Sequence, residues 1–116
     1  MKTGVNFMIA GAILLGFCSA GDAQCPQICD NNANTALGNS ALSNNTGSNN
    51  TAVGNSALAE NTVGFDNTAL GNDALRNNIT GTLNTAVGSR ALASNTLRRN
   101  NTATGIDAMG VRRGRS

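Results

Sequence analysis

The sequence predicts an all-β fold, a parallel β-solenoid of about five 17-residue coils, and three observations predict it. From Asn34 onward the pattern N-T-A-(L/V)-G-x-x-A-L-x-x-N recurs, with copies beginning at Asn34, Asn50, Asn67, Asn84 and Asn101. The spacing is 16 residues once and 17 three times, which is the regularity of stacked structural units rather than of drifted low-complexity sequence. Each copy brings a short extended segment closed by a glycine at a constant position. Each also offers only two sizeable apolar side chains, so one copy cannot bury a core without its neighbours.

Taken in order, each copy opens with Asn-Thr, followed by a Thr-Ala-(Leu/Val) segment that favours extension. Gly38, Gly54, Gly71, Gly88 and Gly105 close it and are expected at a corner that needs positive φ. The next segment, for example Asn55 to Asn61, is open between a second short strand and a single helical turn, because Ala-Leu-Ala-Glu has good helix propensity. A second bend follows at Gly47, Gly64 and Gly81, and Arg98 in the fourth copy is expected to weaken it. The predicted core is Leu37, Leu42, Val53, Leu58, Leu70, Leu75, Val87 and Leu92, with a layer of small Ala residues between. Stacking places Asn34, Asn50, Asn67, Asn84 and Asn101 one above the next, where side-chain amides form ladders along the axis. Disordered polar sequence does not require Leu, Ala and Gly to recur in fixed phase.

Ahead of the repeats, Lys2, the apolar run from Phe7 to Phe17 and the small residues Ser19, Ala20, Gly21 and Ala23 form a signal-peptide pattern. Residues 1–23 are assigned to this leader, with cleavage preferred after Ala23 over Ala20, and residues 24–33 to a Cys-bearing lead. Residues 34–116 are the repeat domain, whose last copy is degenerate and ends in an Arg-rich tail. A lipid-modified Cys18 is disfavoured by bulky Phe17 beside it. In an exported chain Cys25 and Cys29 are a candidate disulfide, within one chain or between chains. Two sulfur ligands with no His fall short of a structural zinc site.

Composition argues for a structural module over an enzyme. The 116 residues contain no His, Trp or Tyr and only six acidic groups, so no nucleophile with a base and no paired carboxylates recur. No catalytic, cofactor-binding or metal-ligating residue is expected. Net charge is +2, with Arg98, Arg99, Arg112, Arg113 and Arg115 crowding the end. Without Trp, Tyr or a groove-reading motif this is a solvated basic terminus, and no nucleic-acid partner is expected.

Asn50-Thr-Ala-Val-Gly-Asn-Ser-Ala-Leu-Ala-Glu-Asn-Thr62 and its sibling copies resemble the head repeats of trimeric autotransporter adhesins of the YadA-like type, and are also similar to coils of phage tail-fibre proteins. The likeness spans Asn34 to about Met109. It implies a left-handed parallel β-roll, three chains packed side by side, and display on a bacterial surface to bind host matrix or other cells. The copies here are longer than the usual adhesin pattern N-S-x-A-x-G.

The expected function is therefore an exported adhesin-like repeat protein, secreted or held at the cell surface, that attaches to a cell or matrix through a regular polar face. It is expected to be a homo-oligomer, a trimer by the resemblance, with no cofactor. One alternative is a spacer or receptor-binding segment of a phage-type fibre. Another is an ice- or polysaccharide-binding solenoid that uses the column Thr35, Thr51, Thr68, Thr85 and Thr102.

Overall fold

A computed structural model describes residues 27–29 and 31–109, the first three by their backbone. Six three-residue strands form one sheet in chain order: β1 (Gln27–Cys29), β2 (Thr35–Leu37), β3 (Thr51–Val53), β4 (Thr68–Leu70), β5 (Thr85–Val87) and β6 (Thr102–Thr104). From β2 to β6 every pairing is parallel and pairs like with like, Thr51 with Thr68, Ala52 with Ala69 and Val53 with Leu70. The chain thus returns to the same place once per repeat, and the fold is a β-solenoid with coils of about 17 residues. Four coils are complete, and a fifth runs to Met109.

The lead segment contributes a strand. β1 pairs antiparallel with β2, Ile28 opposite Ala36, and so covers the edge that the first coil would otherwise leave open. The leader, Cys18, Cys25 and the tail arginines Arg112, Arg113 and Arg115 lie outside the described residues.

The half of each coil after the corner glycine is neither helix nor strand. In the second coil Ala57, Ala59 and Asn61 donate their N–H groups to Gly54, Ser56 and Leu58, three residues back. The N–H groups between them leave the coil, Ser56 to Asn39 (2.8 Å), Leu58 to Ala74 (3.0 Å) and Glu60 to Arg76 (2.9 Å). Ser56 and Leu58 stand at φ 56° and 52°, and the same two positions are positive in every complete coil. A helix needs consecutive negative φ, so this alternation excludes the helical turn; no helix forms among the described residues. Holding Leu at positive φ costs about 1–2 kcal/mol per residue, offset here by inter-coil hydrogen bonds and by burial.

That burial belongs to one leucine column. Leu42, Leu58, Leu75 and Leu92 are buried together with Ala36, Ala52, Ala69, Ala86 and Ala103 of the strands and Ala41, Ala57, Ala74 and Ala91 of the turns. The expectation that Leu37, Val53, Leu70 and Val87 line the core is overturned: Leu37 and Leu70 are 43% and 46% exposed, and Val53 and Val87 are half-buried. Successive strand residues face opposite sides. In Thr-Ala-(Leu/Val) the inward residue is Ala, because the leucine column from the opposite wall already fills the narrow interior.

Two asparagine columns flank this core. In the first, Asn34, Asn50, Asn67 and Asn84 are buried, and each Oδ1 accepts the backbone N–H of the next rung: Asn34 from Asn50 (2.8 Å), Asn50 from Asn67 (3.0 Å), Asn67 from Asn84 (3.0 Å) and Asn84 from Asn101 (3.0 Å). In the second, Asn78 Nδ2 donates to Asn61 Oδ1 and Asn95 Nδ2 to Asn78 Oδ1, both at 2.8 Å. Both columns converge on the second bend, where the carbonyl of Gly64 accepts from Asn50 (2.8 Å) and Asn61 (2.9 Å). Gly81 accepts likewise from Asn67 and Asn78.

Arg98 does not weaken this corner. Its carbonyl accepts from Asn84 at 2.8 Å and Asn95 at 3.1 Å, the same pair of bonds its glycine counterparts receive. The 16-residue first coil also keeps them, since Gly47 accepts from Asn34 (2.7 Å) and Asn45 (3.0 Å). Its missing residue falls between Thr46 and Gly47, opposite exposed Val63, where the shortening disturbs no ladder.

Candidate functional surfaces

A stack this thin turns most side chains outward, and the coil divides its exterior into three strips. The first is the outer side of the sheet, with one column of Thr35, Thr51, Thr68, Thr85 and Thr102 and a second of Leu37, Val53, Leu70, Val87 and Thr104. The parallel register fixes both columns, because each strand repeats the same three positions.

The second strip follows the corner glycines and is polar at Asn39, Asn55, Asn72 and Ser89, with exposed Ile106 in the last coil. Asn39 Nδ2 donates to Asn55 Oδ1 (3.4 Å) and Asn55 Nδ2 to Asn72 Oδ1 (3.1 Å), so the exposed amides run from coil to coil. The corner beneath them is tight. Gly54 and Gly71 stand at φ 133° and 139°, and a Cβ on Gly71 would lie 2.6 Å from the carbonyl oxygen of Gly88. Gly105, at φ 121°, closes the described stack and has nothing nearer than 3.9 Å.

Beside the amides runs the column Ser40, Ser56, Asp73, Arg90 and Asp107, all at φ between 56° and 59°. Arg90 makes a bidentate pair with Asp107, with Nη2 to Oδ2 at 2.6 Å. The hydrogen bond from Arg90 holds the Asp107 carboxyl below its ordinary value, and the same bond raises the Arg90 guanidinium. Asp73 on the other side of Arg90 adds in the same direction, which makes a short column of alternating charge.

The third strip is the edge between the two asparagine columns, where Val63, Phe65, Ile79, Leu83 and Leu97 are exposed. Arg98 and Arg99 are exposed on the same edge. A shallow depression of about 150 Å³ lies at the last coil among Asn95, Arg98, Asn101 and Met109.

Among the described residues no group of three His, Cys, Asp or Glu side chains is placed to hold a metal ion. Of the residues singled out from sequence, Leu42, Leu58, Leu75 and Leu92 come together in the interior, and the five corner glycines form one column. Cys29 ends β1, while its candidate partner Cys25 lies outside the described residues.

Sequence reasoning missed the second asparagine column of Asn45, Asn61, Asn78 and Asn95. Its signal was present in the final Asn of A-L-x-x-N, which recurs in phase in four copies. Comparison with known proteins gives no matching family model, no matching curated protein and no matching solved structure, so the reading of these strips stands on their own geometry.

Proposed function

We propose that the protein is an exported, adhesin-like structural repeat protein that attaches to a cell or matrix surface through the polar strip its coils repeat. The observation that carries this reading is the exposed amide column Asn39, Asn55 and Asn72, which offers the same group on each of the first three coils. A contact made by one coil is available again on the next, so weak contacts add through effective concentration. Export rests on the leader pattern from Lys2 to Ala23 and places the protein outside the cytoplasm, secreted or at the cell surface.

Self-association belongs to the same reading. Val63, Phe65, Ile79 and Leu97 put apolar area along one edge, and exposed apolar bands mark interaction sites. A second and third copy would cover them, in keeping with the trimer that the resemblance implies. Light scattering on the chain from Gln24 tests this; a monomer at all concentrations overturns it.

The attachment reading is tested by adhesion to cells and matrix proteins of the full repeat domain against a chain lacking residues 67–100, two whole coils in register. Circular dichroism establishes that the shortened stack folds. Binding should fall with coil number, and no single side-chain change should abolish it. Equal binding by the shortened stack sinks the reading, as does total loss on replacing the tail from Arg112.

A further inference from the structure

The Thr column on the sheet is not spent on holding the coil together. Among the described residues the hydroxyls of Thr35, Thr51, Thr68, Thr85 and Thr102 make no hydrogen bond, although each of these residues is paired through its backbone. Two threonines elsewhere in the coils behave differently. Thr46 and Thr62, at the second bend, donate their hydroxyls to the carbonyls of Thr62 (2.7 Å) and Ile79 (2.9 Å) on the next coil. Turn chemistry therefore accounts for Thr46 and Thr62; among the described residues Thr80, Thr82 and Thr96 of the bend also make no hydroxyl hydrogen bond, and what sets the sheet column apart is its strict register from coil to coil.

The arrangement of that column is a grid. Rungs repeat at the strand spacing of roughly 4.8 Å, and the two outward residues of one rung are separated by about 6.7 Å along the strand. The second member of each rung is Leu37, Val53, Leu70 or Val87 and, in the last coil, Thr104. Thr and Val are stiff at χ1, which fixes hydroxyls and methyls before any ligand arrives and lowers the entropy lost on binding. No residue of either column carries a charge.

These properties select the ligand. An uncharged grid has nothing to attract an ionic polymer. Sugar rings are gripped by aromatic side chains, but the chain has no Trp or Tyr and no aromatic residue stands in either column. An ordered lattice of water is neutral and periodic, and it offers both donors and acceptors to a hydroxyl with open space for a methyl beside it. We infer that the outer face of the sheet, with its columns Thr35–Thr102 and Leu37–Thr104, is an ice-binding face. Each Thr hydroxyl takes the place of a lattice water and the aliphatic column seats against the gaps. This function is separate from the attachment proposed above, because it uses the sheet and not the amide strip.

The full chain, purified and monitored for thermal hysteresis and for inhibition of ice recrystallisation, tests the inference. Thr68→Lys and Thr85→Lys put a long charged side chain in the centre of the grid, and Ser94→Lys puts the same charge off it. Circular dichroism and melting temperature establish that all three fold. The wild type and Ser94→Lys should slow recrystallisation and hold a hysteresis gap, and both grid variants should lose it. An inactive wild type overturns the inference, and so do grid variants as active as the parent. Retention on an insoluble polysaccharide, lost in the grid variants while ice activity is absent, would assign the face to a sugar polymer instead.

Discussion

The side-chain oxygen of Asn67 accepts two hydrogen bonds from Asn84 on the following coil, one from its backbone N–H at 3.0 Å and one from its Nδ2 at 3.1 Å. The Asn67 Nδ2 in turn donates to Asn50 Oδ1 at 3.1 Å and to the Gly81 carbonyl at 2.8 Å. A fully buried amide thus uses both of its hydrogens and two oxygen lone pairs. Replacing it with Leu keeps the branched shape, adds volume and leaves Asn84 with a buried N–H that has no acceptor, at a cost of about 1–3 kcal/mol for each orphaned group. Urea unfolding of Asn67→Leu should show a markedly lower midpoint. Asn67→Asp should be worse still at neutral pH, since it buries a charge, and should recover on acidification as the carboxyl takes up a proton. An unchanged midpoint in Asn67→Leu would mean the ladder adds nothing to stability.

Leu58 and Leu70 have the same chemistry and opposite surroundings. Leu58 is fully buried between coils, while Leu70 is 46% exposed on the sheet. Leu58→Ala should cost about 2–5 kcal/mol, and Leu58→Asp should abolish the fold, as should Leu75→Asp. Leu70→Asp should keep the circular dichroism spectrum of the parent. If Leu70→Asp unfolds the chain and Leu58→Asp does not, the side assignment of the strands is reversed.

One glycine column contains its own control. Gly71→Ala meets the Gly88 carbonyl and demands positive φ as well, so its penalty should exceed about 3 kcal/mol, in the range set by backbone strain plus overpacking. Gly105→Ala meets only the Cβ of Ala108 at 3.9 Å among the described residues and carries only the conformational cost of about 1–3 kcal/mol. Thermal melting should rank Gly71→Ala well below Gly105→Ala, and equal losses would show that dihedral strain alone matters.

Leu83 offers a stabilising change. It stands at φ 58° where other coils place Asn49, Asp66 and Asn100 at φ 58°, 56° and 61°. Asn adopts this region at lower cost than Leu, and exposed Leu83 lacks the burial that offsets the strain at Leu58, so Leu83→Asn should raise stability by about 0.5–1 kcal/mol. Calorimetry at low protein concentration reads the gain in melting temperature; a fall would mean that the exposed Leu83 side chain is held by packing.

The Arg90–Asp107 pair makes stability depend on pH in a defined sense. Hydrogen bonding to Arg90 lowers the folded-state pKa of Asp107, so the carboxylate contributes stability above its unfolded pKa that is lost as pH falls through the folded one. Both partners are exposed, so the effect is small and screened by salt. Melting temperatures of Asp107→Asn and the parent should differ slightly at neutral pH and converge in acid below the carboxylate range. A difference that widens in acid contradicts the assignment.

Much of the architecture was legible without coordinates, because the features that carry it recur in phase. The spacing of Asn34, Asn50, Asn67, Asn84 and Asn101 determines the number of coils, and the recurring Thr-Ala segment before Gly38, Gly54, Gly71, Gly88 and Gly105 determines where strand gives way to corner. A single coil cannot bury its own apolar side chains, so repetition in register is enough to imply stacking. The first asparagine column follows from that stacking, since equivalent residues fall one above another.

Only the tertiary structure decided which apolar column faces inward. Alternation along Thr35-Ala36-Leu37 permits either parity, and hydrophobicity alone favours burying Leu37. The choice went to Ala36 because the opposite wall delivers Leu42 into a coil too narrow for two large residues in one layer. The conformation of the A-L-x-x-N half was equally hidden. Its local propensity is helical, but positive φ at Ser56 and Leu58 releases alternate N–H groups to neighbouring coils, and those partners lie about 17 residues away in sequence. Propensity is a property of near neighbours. The bonds that override it here join residues that only the stacked chain brings together.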